Sequence, residues 1–185
     1  MSKENNFNYG GVFLITGESG IGKSFIAKVI CLKLKAEFCN HFKLCEAGNN
    51  IDTLIKNSQP TEEKPLILLI DEIDKSIETI RDNKCEKHKY LTTPTVCFKT
   101  FLDFMEILHD YDNLFVIFTT NVSYDWFNKI NPALMRPGRI NGVFDMTTNS
   151  YTFNNLLSYS YIKGTNNSLA IQANKMRFKE KVKGD

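Results

Sequence analysis

The sequence predicts an α/β fold with a mostly parallel five-stranded sheet, and three observations predict it. Continuous apolar runs, Val12-Phe13-Leu14-Ile15, Leu66-Ile67-Leu68-Leu69-Ile70 and Leu114-Phe115-Val116-Ile117-Phe118, read as strands buried on both faces. Between them, apolar residues recur at helical spacing, as Phe25, Ile26, Val29, Ile30 and Leu34 do after the first run. The first run leads into Gly17-Glu18-Ser19-Gly20-Ile21-Gly22-Lys23-Ser24, which fits the phosphate-loop pattern G-x-x-x-x-G-K-[ST].

In chain order, residues 1–10 are a polar lead-in and 11–16 form the first strand. The phosphate-loop helix is expected over 22–37 and a short strand over His41-Phe42-Lys43-Leu44-Cys45. Gly48-Asn49-Asn50 makes a turn, and Ile51, Leu54 and Ile55 suggest a short helix. Residues 57–65, with two prolines, read as a loop before the strand at 66–70. Residues 75–95 are charged and irregular and read as an exposed insert, with Lys84, Glu86, Lys87, His88 and Lys89 crowded together. Phe98, Phe101, Leu102, Met105 and Leu108 predict a helix packed on the sheet. The fourth strand ends in Thr119-Thr120-Asn121, and Val143-Phe144-Asp145-Met146 predicts a fifth. Alternating strands and helices give the class, with residues 1–150 as one core. Residues 151–185 are a short polar and basic tail, with a short helix expected around Tyr151 to Tyr161.

Composition narrows the function classes. A chain of 185 residues, 42% hydrophobic and 24% charged, suits one soluble globular domain with a real core. Its net charge of +2 is too small to argue for nucleic acid. Lys175, Arg177, Lys179, Lys181 and Lys183 make the tail basic, which suits a solvated end or a contact with phosphate or a membrane surface. Five cysteines without a CxxC pair do not form a disulfide framework, and with no signal peptide they place the chain in the cytoplasm or another reducing compartment. No apolar run is long enough to span a bilayer. Cys39, His41 and Cys45, or Cys85 and His88, fall short of four ligands at zinc-finger spacing.

The chemistry lies where the strands end. Glycines at 17, 20 and 22 let the backbone curl its N–H groups inward, and the helix beginning near Lys23 adds its positive dipole end, so the loop suits a polyphosphate. Lys23 would reach the β- and γ-phosphates, and the Ser24 hydroxyl would ligate Mg²⁺. Asp71, ending a hydrophobic strand, can hold the metal shell, and Glu72 can polarise the attacking water. The alternative for this acid pair is capping of the following helix. Asp74 reads equally as a supporting group or a cap. Asn121 ends a strand expected beside the Asp71 strand, where its amide can hold a water between Glu72 and the γ-phosphate; alternatively it is an ordinary turn residue.

GESGIGKS, LILLIDEID, FVIFTTN and NPALMRPGR occur in the order seen in AAA ATPases of the AAA+ superfamily, which residues 9–147 resemble. Within that family, TVCFKTFLDFMEIL and NGVFDM look like the mitochondrial complex III assembly branch, the Rieske-protein translocases. The resemblance implies a three-layer P-loop NTPase sandwich that binds and hydrolyses Mg²⁺–ATP in a homo-oligomeric ring and remodels or translocates a macromolecule. It implies that Gly17, Glu18, Ser19, Gly20, Ile21, Gly22, Lys23, Ser24 and Phe25 bind nucleotide, and that Ser24 and Asp71 hold the metal. It makes Glu72 and Asn121 catalytic, with Arg136 and Arg139 as arginine fingers reaching a neighbouring subunit. Four features depart from the family pattern. Residues 151–185 are too few for a full helical lid, so the lid is expected to be truncated or absent. Only a short lead-in precedes the first strand, where the adenine pocket draws its residues. No aromatic residue lies between Phe42 and Tyr90 to arm a threading loop, and Asn141 stands where an aspartate is usual. The rival readings are a replication-type ATPase acting on nucleic acid, like viral helicases or clamp loaders, with Lys84 to Lys89 as its basic contact, and a nucleotide-dependent binding module with little turnover. Small-molecule phosphotransfer fits the loop but not the acid pair, Asn121 and paired arginines together.

Overall fold

The computed structural model describes residues 10–136 and 138–146. Five strands, β1 (Gly11–Thr16), β2 (Glu37–Cys39), β3 (Leu66–Ile70), β4 (Leu114–Thr120) and β5 (Gly142–Asp145), form one sheet in the order β2-β3-β4-β1-β5. Every pairing is parallel, so all the carboxyl ends lie on one side. The helices are α1 (Lys23–Leu34), α2 (Ile51–Ser58), α3 (Ile73–Arg81), α4 (Phe98–Ile107) and α5 (Tyr124–Ile130). Short 3-10 turns follow α4 and α5, at Leu108–Asp110 and Pro132–Met135.

The apolar runs are continuous because both faces of the sheet are covered. Val12, Leu14, Leu66, Leu68, Ile70, Val116 and Phe118 point to one side, where they meet Ile73, Ile77 and Ile80 of α3 and Phe101, Phe104 and Met105 of α4. Phe13, Ile15, Ile67, Leu69, Phe115 and Ile117 point to the other, against Ala27, Ile30 and Cys31 of α1. Each strand therefore feeds two cores through the two-residue alternation of its side chains. This is the three-layer α/β sandwich of the P-loop type that the sequence predicts.

Several element bounds differ from expectation. α1 stops at Leu34 because Lys35 turns left-handed (φ 53°), and the Ala36 N–H closes the helix on the Cys31 carbonyl at 3.0 Å. β2 occupies 37–39, not 41–45. Phe42 and Leu44 alternate as in a strand, but they leave the sheet edge and bury themselves in the first core, stacking Phe42 on Phe104. The insert expected from residue 75 begins only after α3, whose Ile73, Ile77 and Ile80 carry the helical period through a charged stretch. α5 comes from residues for which no helix was expected. The tail helix around 151–161 and the lid lie outside the described residues.

Among the described residues, no three His, Cys, Asp or Glu side chains converge as metal ligands. Cys45 lies against Cys85, and burial with that neighbour pushes its thiol up to about 12, so it stays protonated at neutral pH. No helix among the described residues is long and apolar enough to cross a membrane.

Asn141 fastens β5 to β1. Its Oδ1 accepts from the Val12 N–H at 2.7 Å, and its own N–H donates to the Val12 carbonyl at 2.7 Å. The bond runs through the amide oxygen, an acceptor that aspartate also has. Val12 is fully buried, so Asn141→Ala leaves a buried N–H without a partner. Urea titration is expected to show a loss of about 1–3 kcal/mol for Asn141→Ala, with Asn141→Asp close to the parent.

Candidate nucleotide site

Residues 17–24 connect β1 to α1, and backbone conformation explains their composition. Gly20 and Gly22 have φ of 80° and 101°, and an added Cβ at either would meet nothing within 4 Å. Space does not select glycine there; the left-handed backbone does. Gly22 is also the residue before α1, whose first turn it opens by accepting the Ile26 N–H at 3.0 Å.

Lys23 is 7% exposed, and its ammonium points back into the loop. It donates to the Gly17 carbonyl at 2.8 Å, the Glu18 carbonyl at 2.8 Å and Asn121 Oδ1 at 2.7 Å. All three acceptors are neutral. The buried charge is hydrogen-bonded but not cancelled, which leaves a positive field at the loop, beside the N-terminus of α1. Asn121 thus meets the phosphate-loop lysine directly.

The Ser24 hydroxyl stands 2.9 Å from both carboxylate oxygens of Asp71. A hydroxyl and a carboxylate this close are a hard-oxygen pair that fits Mg²⁺, which takes few protein ligands and completes its shell with phosphate and water. Asp71 is aimed by Thr119, whose hydroxyl donates to Asp71 Oδ1 and accepts the Glu72 N–H at 3.2 Å. One residue along, the buried Thr120 hydroxyl donates to Asp74 Oδ1 at 2.7 Å. Asp74 is therefore a buried anchor of the first turn of α3. The two threonines were not singled out from sequence. Their signal was two hydroxyls closing an apolar run, with both residues fully buried.

Glu72 is left-handed (φ 52°, ψ 52°) and makes no side-chain cap bond to α3. Its carboxylate, 46% exposed, pairs with Lys75 Nζ at 2.6 Å, and that hydrogen bond holds the Lys75 ammonium above the usual lysine range. Ile21 and Phe25 are exposed at 40% and 68%, an apolar edge beside the loop.

A model of the ATPase family associated with various cellular activities (AAA) matches residues 13–148. The chain belongs to the AAA ATPase family. No curated protein sequence matches it. Among solved structures, this AAA chain is similar to one in the E. coli MS115-1 HORMA:CdnC:Trip13 complex, with 15% identity and a TM-score of 0.49. That likeness covers 73% of this chain and 47% of the other, so the chain spans about half the length of its neighbour.

The two arginines of this AAA domain have different surroundings. Arg136 is exposed. The Arg139 side chain is only 12% exposed. Its Nη1 donates to the Ala133 carbonyl at 2.5 Å and its Nη2 pairs with Glu106 of α4 at 2.5 Å, while Nε is buried without a partner. Among the described residues, Arg139 bonds to Ala133 and Glu106 and makes no hydrogen bond or ion pair with the phosphate loop.

Thr119→Val keeps shape and removes the hydroxyl that aims Asp71. Titration of nucleotide binding against Mg²⁺ is expected to show a severalfold loss of Mg²⁺ dependence, with stability lower by about 1 kcal/mol for the two lost, part-buried hydrogen bonds.

Proposed function

We propose that this chain is the Mg²⁺–ATP-hydrolysing core of a homo-oligomeric ring that remodels or translocates a macromolecule. The observation that carries the reading is the convergence of the Lys23 ammonium, the Ser24 hydroxyl and the Asp71 carboxylate at the carboxyl ends of neighbouring strands. Lys23 would exchange neutral carbonyls for phosphate oxygens, a charge-assisted contact stronger than those it leaves. Ser24 and Asp71 would hold Mg²⁺. Bound there, the metal supplies neutralisation of the charge on the β- and γ-phosphate oxygens. The loop residues Gly17 to Gly22 would wrap the phosphates, and Ile21 and Phe25 would offer the nucleoside an apolar surface.

Glu72 is the proposed general base. Its half-exposed carboxylate sits one residue beyond the metal ligand, on backbone fixed by the Thr119 contact. Asn121 is proposed to orient Lys23 and, once phosphate binds, to free its amide for the attacking water. The difference between the arginines supports a division of labour. Arg136 is free to act as a finger in a neighbouring subunit, whereas Arg139, tied to Glu106 and Ala133, holds the turn that presents it. The finer likeness to the complex III assembly branch rests on TVCFKTFLDFMEIL and NGVFDM alone.

One observation favours the second reading, a nucleotide-dependent binding module with little turnover. Lys75 occupies the Glu72 carboxylate, and turnover stays low unless that pair opens. Glu72→Gln separates binding from chemistry. Calorimetry is expected to show unchanged ATP affinity and a phosphate-release assay a loss of roughly 10²-fold or more. A parent already as slow as this variant would support the module.

Mixing Lys23→Ala with Arg136→Ala tests the shared site. Each alone is expected to be inactive, the first through lost ATP binding and the second through a finger worth about 10³-fold or more. In mixed rings, Arg136 of one variant faces the intact loop of the other, and turnover partly returns. No recovery in mixtures shown to co-assemble would place the arginine's action within its own subunit.

A further inference from the structure

Between α3 and α4 the chain makes an insert whose ends are pinned and whose middle is presented to solvent. Cys85 is 6% exposed and Thr95 fully buried, while residues 86–92 are all exposed. The insert is fastened to the loop after β2. The Glu86 N–H donates to the Cys45 carbonyl at 2.8 Å, and the Thr95 N–H and hydroxyl both donate to the Leu44 carbonyl, at 3.1 and 3.0 Å. The Gly48 N–H donates to the Thr92 carbonyl at 3.0 Å, and the Ala47 N–H to Glu86 Oε2 at 2.8 Å. Within the insert, the Thr93 hydroxyl closes on the Glu86 carbonyl at 2.6 Å, and His88 Nδ1 accepts the N–H groups of Tyr90 and Leu91 at 3.2 and 3.1 Å.

This hydrogen-bonded frame holds Lys87-His88-Lys89-Tyr90-Leu91 outward. Tyr90 is 79% exposed and Leu91 50%, a large apolar surface for a loop tip. Lys89 Nζ lies 5.0 Å from the Tyr90 ring centroid, and the His88 ring meets the Tyr90 ring edge-on. The nearby acids are largely engaged. Glu86 is bonded to Ala47, and Asp82 pairs with Lys84 at 3.0 Å and Arg81 at 3.3 Å, which leaves Lys87 and Lys89 as the available cations. An aromatic ring on a rigid loop, with a cation already at its face and a second beside it, matches what an unpaired base and its phosphates require. The base stacks on the ring, and the ammonium groups take the flanking phosphodiesters.

We propose that this insert is a single-stranded nucleic-acid contact, with Tyr90 as a stacking platform and Lys87 and Lys89 as phosphate ligands. It specifies the macromolecule left open in the function proposed above, and the contact itself does not depend on the nucleotide site. An acidic polypeptide matches the charge but makes no use of an exposed ring beside a lysine.

Fluorescence anisotropy on the full chain, with labelled oligo-dT and oligo-rU, tests this. Binding of either strand is expected, weaker for a duplex and for polyglutamate. Tyr90→Ala should weaken binding roughly tenfold, the scale of one lost stack, and should have no effect on an abasic strand of equal length. Lys87→Ala and Lys89→Ala should each reduce the slope of log affinity against log salt by about 0.7. All three side chains are exposed, so unchanged melting temperatures check the fold. Lys23→Ala should still bind the strand, and Tyr90→Ala should still bind ATP, which separates this contact from the nucleotide site. Absence of binding, equal binding of polyglutamate or duplex, or an unaltered oligo-dT affinity in Tyr90→Ala would overturn the proposal.

Discussion

Two hydrogen bonds between adjacent strand ends set the geometry on which the site depends. Thr119 holds Asp71, and Thr120 holds Asp74, so the end of β4 grips both the last turn of β3 and the first turn of α3. Parallel register brings them level, with Ile70 opposite Phe118 in the final rung. Both hydroxyls are shut away from water, where a hydrogen bond is strong and its absence costly. The Asp71 carboxylate is therefore held by the interior of the protein. The phosphate loop meets it from β1 on the far side of β4, and Asn121, one residue beyond the threonines, reaches Lys23.

Much of this was legible in the sequence because it is written in local rules. Apolar runs bounded by turn-forming or acidic residues gave β1, β3 and β4, and the loop pattern gave the turn between β1 and α1. Legibility failed where tertiary contacts overruled a local pattern. Phe42 and Leu44 alternate like strand residues yet fill the core beneath α4, while the real pairing sits earlier at Glu37 to Cys39. α3 was hidden because Asp74, Lys75, Glu78 and Arg81 outnumber its three isoleucines in the eye, though not in the spacing. The environment of Arg139 had no sequence signal at all, since Glu106 lies 33 residues away and only packing of the turn on α4 joins them.

That last contact changes how the arginine turn is read. A guanidinium with two of its nitrogens bonded and a third buried is a fastener. It ties the turn after α5 to the helix that covers the central strands, so the exposed Arg136 is carried on a rigid mount. His109, just past α4, adds a hydrogen bond of 3.2 Å with the Arg139 carbonyl. The turn is thereby tied to the core through two side chains from the α4 region.

Glu72 occupies a backbone conformation that glycine or asparagine would adopt at less cost, by about 1 kcal/mol or more for an ordinary L-residue. The fold gains nothing from glutamate at this position: it caps no helix and its pairing with Lys75 is largely in water. With Glu72 as the proposed general base, stability and chemistry pull in opposite directions at a single codon. A population of variants screened for heat resistance alone would drift away from glutamate here, whereas one screened for turnover would hold it. The amino acid that survives at position 72 is thus a record of which of the two demands the protein has had to meet.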